Sequence, residues 1–328
     1  MISERAPAEP VAGTAQGADT SAPNLFVSPR WREVMERTYG FGFHEVQGLW
    51  FALVDDALGP RMVAPAFGDY AERHAGDGMP ARIEAARAAF PGASFTIKVA
   101  GGRELPEERR IRSSLLHEIE PTAGLDQARP SFRRLVAQAQ RAGLAVRTRR
   151  DHDALVEFYR LYASQRIHKF RALPQPFGFF KNVADAFFGD DGFLIEVHLG
   201  GQPAAFVMAL RHEQVLYYKF GASDPDALAM RPNNLAMAAL VERARDMGME
   251  RLDLGLTPRE GGLAAFKRGL GARELPLGTY RWPALDGGDQ DVAGKRVLLT
   301  EATRALVSSD PGPDAASAMG AAFYRYFV

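Results

Sequence analysis

The chain has 328 residues, 46% of them hydrophobic and 24% charged, the balance of a soluble globular protein with room for two ordinary domains. Forty basic residues offset forty acidic ones, so no chain-wide field draws it to nucleic acid or to a membrane surface. The absence of cysteine excludes disulfides, thiol catalysis and thiolate metal sites, and fits a reducing, cytoplasmic setting.

In chain order, residues 1–24 are rich in Ala, Pro, Gly, Ser and Thr and read as a disordered tail with no secretory signal. No stretch approaches the roughly 18 apolar residues of a membrane span. Residues 25–128 read as a first α/β lobe. Its expected elements are strands at 41–46 and 49–54, a turn at 55–60, a strand from Arg61, a helix over 79–90 and a strand over 94–99. A polar loop is expected from Gly101 to Arg110. Residues 129–284 read as a second lobe. A helix at 131–142 and a strand at 144–148 precede a helix at 151–164 capped by Asp151, with Leu155, Phe158, Tyr159 and Tyr162 on its buried stripe. An aromatic, helix-prone segment at 174–188 then leads into a meander at 193–198, 204–210 and 215–221. A helix after Pro232, a strand ending near Asp253, a short helix carrying Phe266 and Lys267 and a strand at 277–282 complete it. The extension 285–328 has a Gly-Gly-Asp loop, a helix over 292–307 and an aromatic end.

The strand–helix–strand run from Val215 to Asp253 predicts a parallel crossover, which gathers ligand sites at strand C-termini and helix N-termini. Polar residues cluster there. Arg231, Asn233 and Asn234 open the helix, and an arginine beside a positive helix end suits phosphate or carboxylate as well as it suits a plain helix start. Asp253, late in its strand, suits an acceptor-orienting carboxylate or base and equally a turn-forming aspartate. Tyr217 and Tyr218 point to opposite faces; Tyr218 is the candidate proton donor and Lys219 shares the face of Tyr217. Leu263, Phe266 and Leu270 form a packing stripe from which Lys267 is displaced. Only six basic residues are lysine, so Lys267 carries extra weight. His168 and Arg171 belong to a basic knot that fits either a substrate rim or a basic helix end. The seven histidines have no ligand spacing, so no metal centre is expected.

From Phe158 to Ala272 the chain resembles the FemAB-like branch of the GNAT acyltransferase superfamily. The matching pieces are Phe158-Tyr159, Arg166-Ile-His168, Phe179-Phe180, Tyr217 to Ser223, the Pro232-Asn-Asn turn, Asp253-Leu-Gly255 and Gly262 to Ala272. Pro65 to Tyr70 matches the family's first-lobe loop. The resemblance implies two tandem GNAT-like lobes, each a mixed sheet flanked by helices, facing one another across a cleft. It implies a donor held near Phe266 and Lys267, an acceptor bound by Asp69 and Tyr70 from the opposite lobe, and an acyl-CoA donor such as acetyl-CoA. The acceptor would be an amine of a small metabolite or peptide. Aminoacyl-tRNA is the alternative donor, and a non-catalytic binding module the alternative function. Two departures stand out: the pyrophosphate loop has Asn234 where its first glycine belongs, and no heptad arm of the FemA type is present.

Overall fold

The computed structural model of the protein describes residues 23–74, 76, 78–100, 105–286 and 292–328. Most of the expected tail, the start of the loop at Gly101 and the Gly-Gly-Asp loop lie outside the described residues. The strands are β1 (Gly42–Val46), β2 (Leu49–Val54), β3 (Arg61–Ala64), β4 (Ser94–Ala100), β5 (Arg110–Ile119), β6 (Ala145–Arg149), β7 (Gly192–Leu199), β8 (Gln202–His212), β9 (Val215–Ser223), β10 (Arg251–Thr257) and β11 (Arg273–Trp282). The helices are α1 (Pro29–Tyr39), α2 (Met79–Ala89), α3 (Pro130–Arg141), α4 (His152–Ser164), α5 (Phe177–Phe187), α6 (Pro232–Asp246), α7 (Gly262–Gly269), α8 (Val292–Ser308) and α9 (Pro313–Phe323).

The expected α/β architecture is present, with one addition: the strands of both halves join in a single 11-stranded mixed sheet, ordered β1-β2-β3-β4-β11-β5-β10-β9-β8-β7-β6. The join is made by β11, which returns from the second half to lie antiparallel between β4 and β5. The strand β5, which pairs with β10 on its other side, was not anticipated from sequence. Its sequence IRSSLLHEI looks polar because its interior carries His117 and Glu118, both wholly buried and both partnered. Periodicity detects apolar burial and is blind to a buried charge that has found its counter-charge.

Helix α1 was likewise not foreseen, although its local signals are complete. Ser28 accepts from the Trp31 amide, Pro29 occupies the first turn and Gly40 closes the helix in the left-handed region. Its buried face, Trp31, Val34, Met35 and Tyr39, packs with α5 and α4 into one aromatic core spanning both halves, which includes Tyr70, Phe158, Phe180, Phe206 and Tyr217. Each such buried ring contributes about 1.5–3 kcal/mol by leaving water. The second half has its own core between α3, α6 and strands β7 to β10, where Met237, Val241 and Ala244 are buried as their spacing predicts. The four anticipated residues of α4 are buried too.

Candidate functional site

The crossover forms as expected: β9 and β10 are parallel, with α6 between them. Their pairing is short. It joins Val215, Leu216 and Tyr217 to Arg251, Leu252 and Asp253, and no described pairing continues beyond. Two irregularities sit at the point of parting. In β9, Lys219 is the extra residue between the partners of Met208 and Ala209 on β8. In β10, Leu254 and Gly255 stand opposite the single residue His117 of β5. Bulges of this kind twist a strand away and re-aim its side chains. Gly255 adopts φ +70°, and a β-carbon there would lie 3.2 Å from Asp69 Oδ2, so the bulge requires glycine twice over. Asp253 is therefore the third of seven strand residues, at the apex of the divergence, rather than at the strand's end as the sequence suggested.

The Pro65–Tyr70 loop reaches the same apex from the first half. Trp31 Nε1 donates to the Ala66 carbonyl at 3.1 Å, and Lys98 Nζ donates to the Gly68 carbonyl at 2.8 Å. Phe67 packs on Tyr39 and Tyr324. A β-carbon on Gly68 would lie 2.6–2.8 Å from Pro65 and Phe26 side-chain atoms, so only glycine lets the loop pass this close. Held in this way, Tyr70 donates its hydroxyl to Asp253 Oδ2 at 2.8 Å. The other carboxylate oxygen, Oδ1, accepts from the Gly255 amide at 2.7 Å. Asp69 lies 3.5 Å from Lys219 Nζ and keeps 21% of its side chain exposed, whereas Asp253 is 1% exposed. Lys219 also sits over the rings of Phe26 and Trp31, a cation held by aromatic faces.

Lys267 is neither a solvated lysine nor displaced from the packed face. It is 3% exposed, and its Nζ donates to the carbonyls of Gly255 and Leu256 at 3.1 and 3.3 Å, bracing the β10 bulge. The expected stripe is corrected accordingly. Leu263 is 52% exposed, Leu270 is buried and Phe266 is partly buried against Phe132, because α7 turns its Ala264–Lys267 side toward the sheet. Burial, then the Asp69 charge, pushes Asp253 up to about 7, only partly countered by the Gly255 amide and Tyr70. Burial pushes Lys267 down to about 8 against the pull of Asp69 and Asp253, and Lys98 down to about 8 against the pull of Asp69. Tyr70 is raised far above a free phenol by burial and by the Asp253 charge. The cluster thus holds a carboxylate and two amines poised near neutrality.

The remaining candidates lie around this centre or away from it. Tyr218 is partly buried with its hydroxyl folded over Gly221, and burial raises it to about 12. Arg231 is exposed at φ +65° immediately before α6; it, and not an asparagine, occupies the cap position, with no side-chain capping bond. Its carbonyl already accepts from the amides of Asn234 and Leu235. Asn233 donates to Ser223 Oγ at 3.4 Å, and the Ser223 amide donates to Gln165 Oε1 at 3.1 Å, joining the end of β9 to the start of α6 and to the π-turn Gln165–Lys169 after α4. Asn234 is buried. His168 and Arg171 are exposed on and beyond that turn, with His168 3.6 Å from Asp310 of the C-terminal extension. Among the described residues no cluster of His, Cys, Asp or Glu could hold a metal ion, and no helix is long and apolar enough to cross a membrane.

Sequence reasoning assigned no site role to Lys98, Lys219, Gln165, Ser223 or His117. His117 is buried beside the bulge with Nε2 2.7 Å from Thr257 Oγ1, and burial, then the charge of Lys267, pushes it down to about 4, keeping it neutral. The scarcity of lysine was the one available signal: three of six, at 98, 219 and 267, converge on the Asp69 loop and the β10 bulge.

Residues 126–268 match the family model described as an acetyltransferase (GNAT) domain. No curated protein matches the chain. Among solved structures, FemX is similar with TM-score 0.57 at 15% identity, over 79% of this chain and 93% of that one. The C-terminal domain of a putative lysylphosphatidylglycerol synthetase from Agrobacterium fabrum is similar with TM-score 0.54 at 14% identity, over 78% and 88%. L-PGS from Bacillus licheniformis gives TM-score 0.52 at 12% identity, over 82% and 91%. The parted β9–β10 pair lies inside residues 126–268, the segment similar to GNAT acetyltransferase domains, and the chain as a whole shares its fold with FemX.

Proposed function

We propose that the chain is an acyltransferase that moves an acyl group from a thioester donor, such as acetyl-CoA, to the amine of a small metabolite or peptide. The observation that carries this is the early parting of β9 and β10. Among the described residues the β10-facing edge of β9 has no strand partner from Tyr218 to Ser223, and an amide-bearing donor arm laid there would satisfy its backbone groups as an added strand does, apart from the Ser223 amide, which Gln165 already engages. The donor phosphates would meet Arg231 and Asn233 at the start of α6. With the Asn234 and Leu235 amides already engaged, the arginine fork would carry most of that contact.

At the apex, Asp69 would bind the acceptor ammonium, being the carboxylate with exposed surface. The bound ammonium first gives one proton to Asp253, directly or through water, and the lone pair so freed attacks the thioester carbonyl, forming the C–N bond as the C–S bond breaks. The thiolate takes a proton from Tyr218, a phenol that burial keeps protonated, and the surplus proton of the new amide nitrogen returns to the Tyr218 oxygen through water. Lys267 fixes the bulge that aims both groups and adds positive charge near the developing oxyanion. FemA-type aminoacyl-tRNA chemistry is the second reading, favoured by the missing glycine. Against it, the arginines next to α7 are already paired, Arg268 with Glu274 and Arg273 with Glu118 and Glu120. Thiol release from acetyl-CoA with a panel of amines, run beside charged tRNA, tests both. Turnover with the thioester that falls at least about 100-fold in Asp69→Asn supports the proposal. Turnover only with charged tRNA replaces it with the second reading, and turnover with neither ends the enzymatic reading.

A further inference from the structure

The open edge of β9 ends against a side chain that stands in for a piece of the absent neighbouring strand. Asp224, the residue after β9, turns its amide toward β8 and donates to the Ala204 carbonyl at 3.0 Å. Backbone groups along an antiparallel pair alternate sides, so Ser223 and Gly221 turn their N–H and C=O groups the other way, toward the gap left by β10. There the Ser223 amide donates to Gln165 Oε1 at 3.1 Å. A carboxamide oxygen thus takes the place where an added strand would put a carbonyl. Only the oxygen of that carboxamide can accept from an amide N–H, which fixes the orientation of the group and leaves Nε2 as a donor beside the same edge. Nε2 meets no acceptor among the described residues, and Gln165 is half-buried rather than sealed.

The backbone holds Gln165 firmly at this point. It opens the π-turn Gln165–Lys169, a wide turn of a kind that recurs at functional sites. Its amide is bonded to the Leu161 and Tyr162 carbonyls, and its carbonyl accepts from the Phe170 amide at 3.2 Å. Arg166 clamps the far side, donating through Nε and Nη2 to the Leu173 carbonyl at 3.2 and 3.1 Å. Ile167 of the turn is buried with Leu173, Val307 of α8 and Ala316 of α9, so the C-terminal extension braces it from behind. Ser223 also has a tie independent of Gln165: its Oγ accepts from Asn233, which joins the end of β9 to α6.

We propose that Gln165 is a specificity-determining residue for the donor, closing the open edge at Ser223 and binding the distal amide of the donor arm through Nε2. The inference rests on the thioester-donor reading above, in which the acyl group lies at the apex and the phosphates at the start of α6. The arm then runs along β9 from Tyr218 toward Ser223. An acyl-CoA arm carries two amides. The proximal one falls toward Gly221, whose outward N–H and C=O have no strand partner among the described residues, and the distal one meets Gln165 at the far end. A donor with only the proximal amide does not reach it.

The test compares three thioesters on the full chain at a saturating amine. These are acetyl-CoA, S-acetylpantetheine, which keeps both amides without the nucleotide, and S-acetyl-N-acetylcysteamine, which keeps only the proximal amide. Gln165→Met removes the carboxamide with no change of charge, whereas an ionised Gln165→Glu still accepts from the Ser223 amide but cannot donate. Each variant, with its fold intact by circular dichroism, should raise KM for acetyl-CoA and S-acetylpantetheine at least about fivefold, as the loss of one hydrogen bond does. The kcat should stay within about twofold, and KM for S-acetyl-N-acetylcysteamine should not move. KM raised equally for all three donors marks a structural role and overturns the proposal, and KM raised for none overturns it as well. A rise confined to Gln165→Met does so too, because the side chain would then only brace β9. In each of these results wild-type turnover leaves the donor reading standing. A wild type that neither turns over any of the three nor binds them by calorimetry overturns both.

Discussion

Asp253 and Glu118 face each other directly across β10 and β5, both buried, yet they are opposite in chemistry. Glu118 receives two hydrogen bonds from Arg73, at 2.7 and 2.6 Å, and has Arg251 and Arg273 at 3.4 and 3.5 Å. Burial raises its pKa, but the Arg73 bonds and then the three guanidinium charges overcome this and hold it below the ordinary carboxylate range. Asp253, one strand-pair away from the same arginines, receives only a phenol and an amide and faces a second carboxylate, Asp69. Burial therefore wins, and it stands near neutrality. Two carboxylates with equal burial are separated by the charge of their donors, one fixed as an ion and the other left able to exchange a proton.

The sharpest way to break this contrast is to neutralise each carboxylate in turn. Asp253→Asn should cut turnover by about 10²–10³-fold while leaving unfolding free energy unchanged or higher, because it removes a poorly compensated buried charge. Glu118→Gln should do the reverse. It strands Arg73 and Arg251, while Arg273 keeps Glu120, and should cost roughly 3 kcal/mol in denaturant unfolding, with the smaller change in rate. If Glu118→Gln proved catalytically worse than Asp253→Asn, the assignment of roles would be inverted.

The pH dependence separates the two next. Asp253 has a folded pKa near 7 against about 4 unfolded, so the folded state binds the extra proton between those values. Its contribution to stability is present at pH 4 and is lost as pH rises through about 7, on the order of a few kcal/mol. Glu118, with a depressed folded pKa, contributes above the unfolded value and loses that contribution as pH falls through the folded one. Chemical denaturation at fixed pH should show the loss between pH 4 and 7 in the wild type and not in Asp253→Asn. Turnover should rise through about pH 7 in the wild type as the base ionises; a rate flat from pH 6 to 8 would remove Asp253 from proton transfer.

The smallest effect concerns the backbone that creates the difference. Gly255→Ala places a side chain at φ +70° and against Asp69, and should cost about 1–2 kcal/mol, with a loss of turnover exceeding the loss of stability. A variant as stable and active as the wild type would show that the bulge does not set the position of Asp69.

Much of the frame was legible in the chain. The Asp151 cap, the α4 stripe, the β7–β8–β9 meander and the Pro232 helix start all follow from local rules, and all form. The crossover was legible and forms, and three of the six lysines, at 98, 219 and 267, converge on the Asp69 loop and the β10 bulge beside it. Asp69 and Tyr70 were singled out by family likeness, and the structure brings both to Asp253. What was not legible depended on partners distant in sequence. Strand β5 looked polar because Arg73, Arg251 and Arg273 neutralise Glu118 from elsewhere in the chain. Lys267 looked displaced from the packed face because the carbonyls that bury it belong to a bulge no periodicity encodes.

The amino-acid order alone determined where helices and strands start, which faces turn inward and which segment carries the crossover, since those depend on neighbours a few residues away. Tertiary structure decided which buried charges are silent and which are poised. A pKa is set by every charge and dipole within several ångströms, and at this apex they arrive from residues as far apart in the chain as Asp69 and Lys267.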